Sequence, residues 1–205
     1  DVEQSVELPL QRGRIIPLET SDSSLLYDIV SIDQVKDKYF IRSKNKILTF
    51  DTEGNYLYNI SGIGQGNKEY VNLSSFFIKN EELCIYDFNQ GRVLVFAPSG
   101  RYLRTEKAVK NSDVECVPQL IRPYGKNKYI AKNSFNGTPG YVTPALSLLD
   151  EKYTITQTLE GHSLNTGFLL FDFMNCDDNG GFITYWEALS DTIYTVVNDS
   201  MVQPK

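Results

Sequence analysis

The chain has 205 residues, 41% of them hydrophobic, enough for one domain with a substantial core, since a chain of this length buries about 70% of its unfolded surface. Its formal net charge of −6, with no run of lysine or arginine, lacks the basic footprint of nucleic-acid binding. No stretch of about 18 apolar residues is present to span a membrane as a helix, and three cysteines (Cys84, Cys116, Cys176) without C-x-x-C spacing signal neither a disulfide framework nor a zinc site.

In chain order, the opening DVEQSVELPLQ has neither the charged nor the apolar region of a signal peptide, so a leader is expected to have been removed or never present. A short apolar stretch, GRIIPLE (13–19), comes next. The apolar run YDIVSID (27–33) then precedes KDKYFIRS, KILTF and NYLYNI, and LSSFFIKN (73–80) precedes EELCIYDF, RVLVF and RYLRT. PQLIRPYG (118–125) and GFLLFDFMN (167–175) each open a further group of alternating runs. Thirteen Tyr and eleven Phe, alternation within the runs, and turn signals every eight to twelve residues predict an all-β chain with almost no helix.

The groups are copies of one another. Ile47 and Val93, Leu48 and Leu94, Phe50 and Phe96, Gly54 and Gly100, Tyr56 and Tyr102, and Leu57 and Leu103 all lie 46 residues apart. Two fainter copies follow, so four units of four short antiparallel strands are predicted, at about 28–60, 73–105, 118–159 and 167–205. That period and strand count are those of a β-propeller blade. A lone sheet of this kind is apolar on both faces and is stable only when blades stack face to face.

SGIGQGNKEY (61–70) has the glycines and lysine of a phosphate loop, but its G-x-G-x-G spacing and the strand-like run after it do not fit a strand–loop–helix phosphate site. It is expected to be a blade-to-blade connection in which glycines let the backbone turn sharply.

IIPLET (15–20), KILTFDTEGNYL (46–57), the G-x-G-x-G-x-x-E-Y connection and SDTIY (190–194) together resemble the NHL-like six-bladed β-propeller proteins of gut anaerobes. The resemblance implies export to the periplasm or cell surface, often as a lipoprotein. Six blades would need about 280 residues, so the chain is expected to be a propeller segment lacking about two C-terminal blades rather than a closed ring of four. In such a ring a strand at 14–19 would complete the last blade.

NCDDNGG (175–181) begins like a calcium loop, but Trp186 stands where the closing carboxylate belongs, and a polar hairpin accounts for the same residues. No cofactor and no metal are expected. The single histidine, His162, has no nucleophile motif near it. The innermost strands, read as IVSI, SFFI, LIRP and LLFD, offer only Arg122 and Asp172 as charged groups.

Blade-to-blade loops and second-to-third-strand loops emerge on one face of a propeller, the face where ligands meet the channel. The expected ligand-binding residues there are Lys68, Glu69, Tyr70, Asn89, Arg92, Phe135, Asn136, Tyr141 and His162, accompanied by Gln65 and Asn67. Aromatic faces beside amides suit a glycan or a peptide. The expected function is a non-catalytic module of the bacterial cell envelope that binds a small ligand or an envelope protein. The alternative is a metal-assisted hydrolase or lyase of the six-bladed type.

Overall fold

Strand follows strand along the chain because each apolar run is too short for a helix and ends in a tight polar turn. The computed structural model describes residues 13–107, 117–134, 144–159, 173–176, 183–186, 192–197 and 199–202. Among these there is no helix. The first sheet comprises β1 (Ser31–Val35), β2 (Lys38–Ser43), β3 (Lys46–Asp51) and β4 (Tyr56–Ile60). The second comprises β5 (Leu73–Lys79), β6 (Glu82–Asp87), β7 (Arg92–Phe96) and β8 (Tyr102–Lys107). The third holds β9 (Val117–Pro123), β10 (Tyr129–Ser134), β11 (Leu146–Leu149) and β12 (Ile155–Leu159), and the fourth β13 (Phe173–Cys176), β14 (Ile183–Trp186), β15 (Ile193–Val197) and β16 (Ser200–Val202). Each sheet is an antiparallel meander in sequence order. The fold is that of a β-propeller.

The repeat extends to single hydrogen bonds. Between the third and fourth strands of the first three sheets, the register slips after Thr49, Val95 and Leu148, one bulge per unit at matching positions. The turn that follows is closed in the same way each time: Gly54 N–H donates to Asp51 O at 3.1 Å, Gly100 to Ala97 at 2.9 Å and Tyr153 to Asp150 at 3.0 Å. All three residues have positive φ, 90°, 80° and 64°. Glycine suits that conformation and tyrosine does not.

Most of the core lies between sheets, and a smaller cluster of Ile41, Leu48 and Phe50 is covered by Leu18 and Leu26 of the N-terminal segment. Phe40 and Ile47 of the first sheet meet Leu73, Phe76, Ile85 and Leu94 of the second. Phe77, Cys84 and Val95 of the second meet Ile121, Tyr129 and Leu149 of the third, and Ile130 and Leu148 of the third meet Ile183, Tyr185 and Val196 of the fourth. Each fully buried side chain of this kind contributes about 1.5–3 kcal/mol, which no sheet could gather alone. The first strands of neighbouring sheets also touch: Ser75 Oγ accepts from Ile121 N–H and donates to Ile121 O, both at 3.2 Å.

Two boundaries differ from expectation. The first strand begins at Ser31, and of the apolar residues before it Tyr27, Ile29 and Val30 are exposed. The strand within GFLLFDFMN is Phe173–Cys176, and residues 167–172 lie outside the described residues. Residues 14–19 form no ladder. They lie against the first sheet, with Glu19 N–H donating to Gly54 O at 2.8 Å. A Cβ at Gly54 would meet Pro17 O at 2.1 Å, and one at Gly100 would meet the Tyr58 ring at 2.8 Å. The N-terminal segment therefore faces the first sheet where β4 faces the second.

Candidate functional site

The connection from β4 to β5, residues 61–72, is braced from all sides. Tyr70 N–H donates to Gly62 O at 2.7 Å and Gly64 N–H to Tyr70 O at 3.0 Å. The Tyr70 ring is fully buried, and its hydroxyl donates to Asn45 O at 2.6 Å, with Ile60 O at 3.2 Å. Burial pushes this phenol up to about 12. Arg92 Nη2 reaches across from β7 to the carbonyls of Gly66 (2.9 Å) and Glu69 (2.5 Å). Thr105 Oγ1 donates to Asn67 O at 3.1 Å.

The glycines answer to a carboxylate. Gly66 N–H donates to Glu69 Oε2 at 2.9 Å, and a Cβ at Gly64 would lie 2.0 Å from the same oxygen. Gly62, Gly64 and Gly66 are not among the residues with positive φ, so the expected reason for them, a sharp turn, is corrected: a side chain at position 64 would displace Glu69. The loop that looks like an anion cradle is filled by its own anion.

Asp87, which the sequence reading passed over, anchors the far end. Its buried carboxylate accepts from Val71 N–H (2.9 Å), Asn89 N–H (3.1 Å), and at longer range Asn72 and Gln90 N–H. Its signal lay in D-F-N-Q-G: an aspartate opening a turn satisfies the backbone two and three residues on.

The structure brings Lys68, Glu69, Tyr70, Asn89 and Arg92 to one loop face, with different roles. Lys68, Glu69 and Asn89 are exposed, as are Gln65 and Asn67. Lys68 Nζ stands 5.7 Å from the centroid of the Tyr102 ring. Tyr70 is internal and Arg92 is engaged with the loop backbone, so these two hold the surface rather than form it. Phe135, Asn136, Tyr141 and His162 lie outside the described residues, as does most of the NCDDNGG turn. Among the described residues no three His, Cys, Asp or Glu side chains group to hold a metal, and no helix is long and apolar enough to cross a membrane.

A family described as a domain of unknown function, DUF4934, matches residues 10–205. The chain belongs to this family. No curated protein matches this DUF4934 chain. It is similar in structure to a Bacteroides fragilis protein described as exported, at 18% identity and a TM-score of 0.73, over 92% of this chain and 53% of that one. It is also similar to a DUF4221-family member from Bacteroides vulgatus (9%, TM-score 0.60, 92% and 60%) and to virginiamycin B lyase from Staphylococcus aureus (14%, 0.54, 92% and 58%). The DUF4934 chain thus spans little more than half the length of these structures. At such identities the likeness is one of fold.

Proposed function

We propose that this DUF4934 chain is part of an extracytoplasmic β-propeller that binds a glycan, a peptide or an envelope protein on its loop face. The observation that carries this reading is the bracing of residues 61–72: Tyr70, Arg92, Thr105 and Asp87 fix the backbone, so that Gln65, Asn67 and Lys68 are presented without an ordering cost on binding. The likeness to a protein described as exported supports the location.

The same reading extends the ring beyond four sheets. Ile32 on the outer face of the first sheet is 54% exposed, and Trp186, Ile193 and Val197 on the outer face of the fourth are 39%, 53% and 46% exposed. Interior sheets bury the corresponding faces; on the first sheet Ile41, Leu48 and Phe50 are already covered by Leu18 and Leu26 of the N-terminal segment, so a further blade is the covering that fits the fourth sheet.

Titration calorimetry against envelope glycans and short peptides tests the function. The expected result is a ligand whose affinity falls about tenfold in Lys68→Ala or Asn67→Ala while the melting temperature stays unchanged. Binding that ignores both substitutions, or no binding by any of these compounds, would overturn the loop-face reading.

A further inference from the structure

The first strand of the second sheet carries a feature that the loop-face reading does not use. Arg42, from β2 of the first sheet, donates from Nη1 to Ser74 O at 2.6 Å and from Nε to Lys44 O at 3.2 Å. Arg122, from β9 of the third sheet, donates from Nη1 to Phe76 O at 2.6 Å. Two guanidinium groups from flanking blades thus converge on one innermost strand, β5. Their acceptor carbonyls are two residues apart, about 6–7 Å along a strand.

Backbone capping alone needs no charge at these positions. Here the two positive groups lie close enough to oppose each other: burial holds the Arg42 guanidinium below its ordinary value, and Arg122 lowers it further. One carboxylate bears on each guanidinium. Asp33 Oδ2 is 3.6 Å from Arg122 Nη1. Asp28, the other carboxylate that bears on Arg42, is engaged with Ser43 Oγ at 3.0 Å and Lys44 N–H at 2.9 Å. Among the described residues, Nη2 of Arg42 and Nη2 of Arg122 meet no acceptor. The first sheet begins later than the sequence predicts, which places Asp33 within β1, and Arg42 lies on β2, outside the innermost strands.

We propose that Arg42 and Arg122 form an oxyanion site on the axial edge of β5, taking one carboxylate or phosphate group between their guanidinium groups. A group whose oxygens are about 2.5 Å apart can accept from two such cations at charge-assisted distances of about 2.8 Å. Arginine is the residue for the task, being permanently charged and offering paired donors. The site stands whether or not the exposed rim residues bind anything.

Two probes separate the sources, inorganic phosphate and glucuronate, each titrated into the whole chain at constant ionic strength against chloride. At least one probe should raise the melting temperature and give a measurable dissociation constant. That affinity should weaken about tenfold or more in Arg42→Gln and in Arg122→Gln. It should be unchanged in Arg104→Gln, an arginine paired on the outer strand with Glu82 and Glu106. Arg42→Lys and Arg122→Lys keep the charge but lose the paired donors, so they stand in for a glutamine variant that fails to fold and should weaken binding more than Arg104→Gln does. Phosphate preferred over glucuronate assigns the site to phosphate esters, and the reverse assigns it to carboxylates. No response to either probe beyond that of chloride, or equal loss in Arg104→Gln, would overturn the proposal.

Discussion

At Tyr153 a strained backbone is set against a buried ring, and the two can be weighed. The equivalent turns of the first two sheets carry Gly54 and Gly100, whereas Tyr153 holds φ at 64°. A side chain in that region costs about 1–2 kcal/mol. Against this, the ring is 1% exposed, stacks 4.6 Å from Tyr129 and 6.5 Å from Phe77, and lies 5.3 Å beneath Lys79 Nζ. Removing a buried aromatic costs about 3–5 kcal/mol, so Tyr153→Gly should lose about 2–3 kcal/mol net of the strain it relieves. Its hydroxyl is buried beside the Tyr129 phenol but meets no partner at hydrogen-bond distance among the described residues. Such a group costs about 1–3 kcal/mol. Tyr153→Phe should therefore gain about 1 kcal/mol. Urea unfolding followed by fluorescence would report both as shifts of the midpoint at constant slope; in a chain of this length each kcal/mol moves the melting temperature by about 2–4 °C. A Tyr153→Phe variant that lost about 1 kcal/mol or more would show that the hydroxyl is bonded, and a Tyr153→Gly variant as stable as the parent would show that the ring does not hold blades together.

Two further outcomes are expected. Gly64→Ala and Glu69→Ala should each cost about 1 kcal/mol, because both remove the carboxylate from Gly66 N–H. The double variant should cost no more than either single one, and additive losses in a denaturation cycle would refute the self-filled loop. Stability should also fall as pH rises from about 9 to 12. Burial pushes the Cys84 thiol up to about 12, as it does the Tyr70 phenol. In that window the unfolded chain has lost protons that the folded chain keeps, so the slope of stability against pH is negative. Cys84→Ala should flatten it, and an unfolding midpoint indifferent to pH up to about 11 would count against this burial.

How much of this was legible depends on the range of the interaction. Phe50 with Phe96, and Gly54 with Gly100, could be paired by spacing because a hairpin and its bulge are local, and one blade must resemble the next to stack on it. Tyr153 breaks that equivalence at the position most specific for glycine, and the packing of its ring on Tyr129 and Phe77 accounts for it, contacts between residues 24 and 76 apart in sequence. YDIVSID predicts a strand because its apolar alternation mimics a buried one, yet Tyr27, Ile29 and Val30 are exposed, and the ladder begins at Ser31. Glu69, an expected ligand-binding residue, accepts a hydrogen bond from Gly66 N–H, three residues away. Local spacing cannot separate a carboxylate that awaits a ligand from one that has turned back on its own loop. Arg42, Asp33 and Arg122 meet only once three sheets are stacked. Sites of that kind are encoded by the ring and not by any motif, so in a propeller the chemistry at the axis must be sought where side chains from non-adjacent repeats converge.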